Sequence, residues 1–160
     1  MTGLEPREFT WVITGRLAVS ERVGGHGFQH RRVRREEEIA WLRAAGVTAV
    51  LSLLPGNQNL AAYRAAGLVA VHEPLLDLEP VSAERVFSAL RTLLREQTTV
   101  LLHRDTIDEA VCGILAGYLV YAGLVSQPIV ATDTIQRILR RPLGPEARAV
   151  IPQTPQTAGA

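Results

Sequence analysis

The sequence is poor in the residues that usually announce chemistry. It has one cysteine, Cys112, in 160 residues. That excludes an intrachain disulfide framework and any zinc site built on paired thiolates. It has no lysine: all 17 cations are arginine, a bias toward GC-rich codons with no chemical meaning of its own. No apolar run is long enough to span a bilayer. An excess of one charge is also missing, since 17 arginines against 16 acids leave a net of +1. The chain as a whole therefore demands no polyanionic partner. Met1 to Glu8 carries three charges and no apolar stretch, so no secretory signal is expected and the expected location is cytoplasmic.

What is present is a hydrophobic fraction of 47%, enough to bury one proper core. We expect a single domain over residues 9–152, with frayed tails at 1–8 and 153–160. Phe9–Ile13 and Arg16–Val19 read as two strands around a Thr14-Gly15 turn. A glycine-rich loop, Arg22–Phe28, precedes a helix over Arg34–Ala45 that Gly46 stops. Val47–Leu53 is a continuous apolar run of strand length, the pattern of a strand buried on both faces. A turn at Pro55–Asn57, a short helix over Leu60–Ala66 and a strand over Leu68–His72 follow. Ser82 is placed as the cap of a helix running to Arg95. Thr98–His103 is the third apolar strand, a long helix runs on to Ala122, and a last one covers Ile129–Arg140. This alternation predicts an α/β fold: three layers, a mostly parallel central sheet and helices on both faces. Ligands in such sheets bind beyond the carboxyl ends of the strands, here after Leu53, His72 and His103.

The ordered set of segments resembles the dual-specificity and protein tyrosine phosphatases, in particular their compact prokaryotic branch. WVITGRLAVS, EIAWLRAAGVTAVLSL, AAGLVAVHEPLLD, TVLLH with its helix, and IQRILRRP follow one another over about residues 10–145. In that family the third strand ends in His, then a nucleophilic Cys, two residues, Gly, two residues, Arg, and Ser or Thr. An Asp on the loop after the preceding strand is the general acid. Here His103 matches, and Asp77 matches the general acid. Arg104 stands in place of the Cys, Ile107 of the Gly, Ala110 of the Arg and Val111 of the hydroxyl residue. Cys112 lies one residue past the hydroxyl position, inside the helix.

These changes remove the chemistry. Phosphoryl transfer through a covalent intermediate needs a nucleophile of low pKa, and a guanidinium is not one. Holding the transferred group needs cations and free amides at a helix N-terminus. Asp105, Asp108 and Glu109 put three carboxylates there instead, favourable to the helix and unfavourable to a phosphate. Thr106 and Glu109 have the spacing of a capping box. The resemblance thus implies a pseudophosphatase with a binding or regulatory role, a protein partner and no cofactor. The relic loop is His103, Arg104, Asp105, Asp108, Glu109 and Ala110, and Asp77 is the relic acid. Bland roles compete at each position: an Asx turn for Asp77, a loop-holding hydrogen bond for His103, and an ion pair of Arg104 with Asp77, Asp105 or Asp108.

Two other classes of function remain open at this level. His103, Asp77, Asp105, Asp108 and Glu109 could form a repurposed hydrolytic site, metal-assisted through oxygen ligands. Their spacing fits no metal motif, and no metal site is expected. Alternatively, Arg31, Arg32, Arg34 and Arg35 could bind an anion or RNA backbone. Glu36, Glu37 and Glu38 follow at once and can form i,i+4 pairs such as Arg32–Glu36 and Arg34–Glu38. Aromatics make up only 5% of the chain and none interleaves these arginines, which argues against nucleic acid. Cations at a helix N-terminus are locally disfavoured, and that conflict favours a partner. Together with Asn57 and Asn59, beyond the first buried strand, these four arginines are the candidate partner-binding residues.

Overall fold

A computed structural model describes residues 3–25 and 27–156. They form two compact units. One contains the residues up to Pro74 together with Thr92–Ile107, the other Leu75–Arg91 together with the residues from Asp108 on. The fold is mixed α/β around a five-stranded sheet, all of which lies in the first unit.

The strands are β1 (Thr10–Ile13), β2 (Leu17–Ser20), β3 (Ala49–Ser52), β4 (Val69–His72) and β5 (Val100–His103). Their spatial order is β1-β2-β5-β3-β4. The antiparallel β1 pairs with β2 at one edge, and the other four are parallel. Leu17, Ala18, Val19, Ala49, Val50, Leu51, Val100, Leu101 and Leu102 are fully buried, which is why their sequence runs apolar without alternation. Helices α1 (Arg32–Ala44) and α2 (Leu60–Ala65) belong to the same unit. Their apolar stripes, Ile39 and Leu42 with Leu60 and Tyr63, pack on the side chains of Ala18, Val50, Ala70 and Leu101. Phe9, Trp11 and Trp41 close the edge of this core in edge-to-face contacts with ring centres 4.9 to 5.2 Å apart.

The second unit is helical: α3 (Pro80–Leu94, its last turn counted with the sheet unit), α4 (Glu109–Tyr121), α5 (Pro128–Leu139) and α6 (Pro145–Ala149). Two glycines of α4 set its packing. A Cβ on Gly113 would stand 2.9 Å from the Ala147 carbonyl oxygen, and one on Gly117 2.5 Å from the Phe87 ring. Neither α6 nor α3 could approach so closely past a larger residue.

Several boundaries differ from expectation for local reasons. The α1 helix starts at Arg32, two residues early, because its entry is fixed by the Arg31 N–H bond to the Gly24 carbonyl. The α3 helix starts at Pro80 rather than being capped by Ser82; proline is suited to a first helical turn, where its missing N–H is no loss. The α6 helix was not anticipated, since five residues give no periodicity to read. Described residues near each terminus make backbone hydrogen bonds. The Leu4 N–H donates to the Glu37 carbonyl and the Glu21 N–H to that of Arg7. The Gln156 N–H donates to the Tyr121 carbonyl, and the Arg91 guanidinium holds both the Tyr121 and Gln156 carbonyls while stacking 4.1 Å over the Tyr121 ring. Met1, Thr2, His26 and Thr157–Ala160 lie outside the described residues.

Candidate functional site

The parallel strands end in a polar row. Ser20, His103, Ser52 and His72 stand in register across β2, β5, β3 and β4, at the carboxyl edge where α/β sheets place ligands. In this protein the row is turned inward. Ser20, Ser52 and His103 are fully buried. The His72 Nε2 lies 2.7 Å from the Leu54 carbonyl, to which it donates, and the Ser52 hydroxyl accepts from the Leu54 N–H at 3.4 Å. His103 Nε2 meets the Tyr63 hydroxyl at 3.2 Å. Burial is the main cause that pulls the His103 pKa down to about 4; the Arg22 charge and His72 add to the shift, against the Arg104 backbone. His103 is therefore a neutral imidazole that braces α2 against β5. Sequence reasoning had singled out His103 but not Tyr63, which a lone aromatic on a six-residue helix gives no cause to notice.

The same ladder continues to the α1 end. Asn59 precedes α2 in the left-handed conformation, with φ of 71°. Its amide nitrogen donates to the Val23 carbonyl at 2.8 Å, while its oxygen accepts from His30 Nε2 and Arg35 Nη1, both at 3.3 Å. Glu38, fully buried, accepts from the Gly24 N–H at 3.1 Å and pairs with Arg34. Asn59, Arg34 and Arg35, expected as partner-binding residues, are thus bonded within the glycine-rich loop and the helices that follow it. Arg31 turns onto the Phe28 and His30 carbonyls, and the expected Arg32–Glu36 pair forms at 3.1 Å on the exposed face. Asn57 is exposed.

The chain after β5 begins with Arg104 and Asp105. Arg104 is half-buried and Asp105 exposed. The Asp105 carbonyl accepts the Arg22 N–H at 3.2 Å, and its carboxylate stands 3.8 Å from the Arg22 guanidinium. Arg22 was not among the expected residues; nothing in a glycine-rich loop marks one arginine over another. Ile107 is buried at 3% exposure.

In the helical unit the N-cap of α4 is Asp108, whose carboxylate accepts from the Val111 N–H at 3.0 Å. The expected capping box of Thr106 and Glu109 does not form. The helix begins at Glu109 itself, so Glu109 occupies the first position instead of the third. Its carboxylate lies over Gly144, where a Cβ would meet Oε1. Ala110 contributes no charge. Asp77 is exposed and accepts the Glu79 N–H at 2.9 Å. The Ser82 hydroxyl, the Glu79 N–H and Arg85 all favour its ionised form and hold its pKa below the ordinary value. This is an Asx turn leading into α3, and a carboxylate so held is a poor proton donor at neutral pH. Cys112 is buried, and burial pushes its thiol up to about 11, helped by Asp108 and Glu109 and opposed by Arg141. Among the described residues no three His, Cys, Asp or Glu side chains gather to hold a metal ion, and no helix is long and apolar enough to cross a membrane.

No family model and no curated protein matches the sequence. Solved structures match nearly the whole chain. The kinase-associated phosphatase KAP, in a form with its catalytic-site cysteine replaced by serine, aligns with a TM-score of 0.75 at 16% identity, over 91% of this chain and 92% of that one. Tk-PTP in its active form gives 0.69 at 17% identity, over 90% and 92%. The fold is that of the dual-specificity phosphatases. The core catalytic domain of the PP-IP phosphatase SIW14 from S. cerevisiae, in complex with citrate, shares this phosphatase fold with a TM-score of 0.67 at 11% identity, over 94% and 87%. At such identities the phosphatase fold is common and the site residues must be judged one by one.

Proposed function

We propose that this protein is a pseudophosphatase: it keeps the phosphatase fold, does not run phosphatase chemistry, and works by binding. The observation that carries this reading is Arg104. It follows His103 at the end of β5, the position of the nucleophilic cysteine in the family the sequence resembles. The rest agrees with it. The one thiol, Cys112, is buried with a raised pKa, which makes it inert rather than nucleophilic. Ala110 leaves the phosphate-binding guanidinium unreplaced. The Asp108 carboxylate already satisfies an amide of the first turn of α4, an amide that an incoming oxyanion would need. Asp77 is ionised and committed to a turn.

The test is hydrolysis of an aryl phosphate by the purified chain, with a sulfate or tungstate soak alongside. The expected result is turnover at the blank level and no tetrahedral ion on the amides between His103 and Val111. Turnover above blank that disappears in Asp77→Ala would overturn the reading.

A further inference from the structure

The strongest unexplained feature of the sheet unit is a surface groove of about 440 Å³ along α1 and α2. Its apolar lining is mostly small: Ala40, Ala62, Ala65 and Ala66, with buried Ile39. Its walls carry Arg32, Arg35 and Arg43 against one acid, Glu36.

These cations are under-matched by the protein itself. Arg32 has Glu36, but that pair is exposed on both sides and of little strength. Arg35 is half-buried and bonds a neutral oxygen, that of Asn59 at 3.3 Å; its Nε is sealed from solvent, so only the exposed part of the guanidinium can meet a partner. A guanidinium taken out of water normally has an acid beside it. No ion pair of Arg43 is found among the described residues either. The placement adds a second conflict. Arg32 and Arg35 stand at the start of α1, which has no acid in its first turn and no side-chain cap. Helix N-termini favour anions and disfavour cations. Local rules broken without internal compensation mark sites where something outside the chain supplies the compensation.

We propose that the α1–α2 groove docks an acidic segment of a partner protein. Carboxylates meet Arg32, Arg35 and Arg43, and small apolar side chains between them cover the alanines. This rests on the binding role proposed above and names the partner's chemistry. A peptide fits better than a nucleic acid, because the groove has no aromatic side chain on which a base could stack, whereas its alanines offer close approach to an apolar side chain.

The experiment uses the full chain and a short fluorescent peptide in which glutamates alternate with alanine and leucine, with a glutamine-for-glutamate peptide as control. The expected result is binding of the glutamate peptide, measured by anisotropy and weakening as salt rises. Arg43→Glu should weaken it by at least about tenfold and Arg43→Lys far less. Ala65→Trp, which fills the groove from an exposed position, should weaken it similarly. Equal binding of the glutamine peptide, indifference to Arg43→Glu and Ala65→Trp, absence of binding, or tighter binding of a single-stranded RNA oligonucleotide at the same arginines would each overturn the proposal. Aryl phosphate turnover is read on the same samples. Turnover with normal peptide binding removes the non-catalytic reading alone, and a silent enzyme without peptide binding removes the groove alone.

Discussion

His103 holds the end of β5 to α2 through Tyr63, and both groups are sealed from water. A hydrogen bond there is worth little net while made, but a buried partner left unsatisfied costs about 1–3 kcal/mol. Tyr63→Phe should therefore destabilise the protein by about that amount in a denaturant titration, with the midpoint shifting and the slope unchanged. The same burial makes stability depend on pH. The His103 pKa is lowered in the folded protein, to about 4 from 6.5, so the unfolded chain takes up its proton first as pH falls. The contribution is full above pH 6.5 and is lost progressively toward pH 4. Burial and the neighbouring charges of Arg22, Arg35 and Arg34 lower the His30 pKa as well, although its Asn59 bond opposes them, so it acts with the same sign. His103→Gln, which cannot charge, should flatten part of that slope and leave the His30 part; an unchanged slope would show that His103 does not stay neutral. Cys112 gives a simpler readout. With its thiol buried and pushed up to about 11, alkylation of the native protein at neutral pH should be far slower than of the denatured chain.

At the scale of elements, the strands and most helices were legible because apolar runs and apolar stripes report burial directly. The caps were less so. Thr106 and Glu109 carry the spacing of a capping box, but a neighbouring acid, Asp108, can cap the same helix two residues later. Buried Ile107, in front of that cap, is what the spacing could not reveal. Asp108→Ala should cost about 0.5–2 kcal/mol in stability while Thr106→Ala costs almost nothing; the reverse order would restore the capping box. The ladder from Asn59 through Arg35 and His30 was illegible for a different reason. It joins positions up to 36 residues apart, and no local pattern encodes which polar groups meet across such a distance. Glycine inside a helix ordinarily weakens it, whereas Gly113 and Gly117 admit Ala147 and Phe87. Gly113→Ala should destabilise by about 1–3 kcal/mol through overpacking, despite the better helix propensity of alanine.

For the whole molecule, the fold and the proposed loss of phosphatase chemistry rest on different residues. The sheet order, the parallel strands and the match to phosphatase structures over nearly the full chain rest on strands of buried apolar residues. The departures from the pattern the sequence resembles lie at a few positions after β5, of which Ile107 and Val111 are buried and Arg104 and Ala110 are half-buried. Such a division predicts that restoring a nucleophile alone will fail. Arg104→Cys supplies a thiol, but the Asp108 carboxylate still occupies the first-turn amide of α4, and Ala110 still leaves an oxyanion without a guanidinium. The Arg104→Cys variant should fold with a melting temperature close to that of the parent and remain at blank level on aryl phosphate, since exposed and half-exposed substitutions outside a core shift stability little. Adding Ala110→Arg and Asp108→Gly should bring the first measurable phosphate or vanadate binding, at a loss of stability from the missing cap. Turnover from Arg104→Cys by itself would mean that the loop carboxylates do not oppose an oxyanion, and that the lost cysteine was the sole barrier to catalysis.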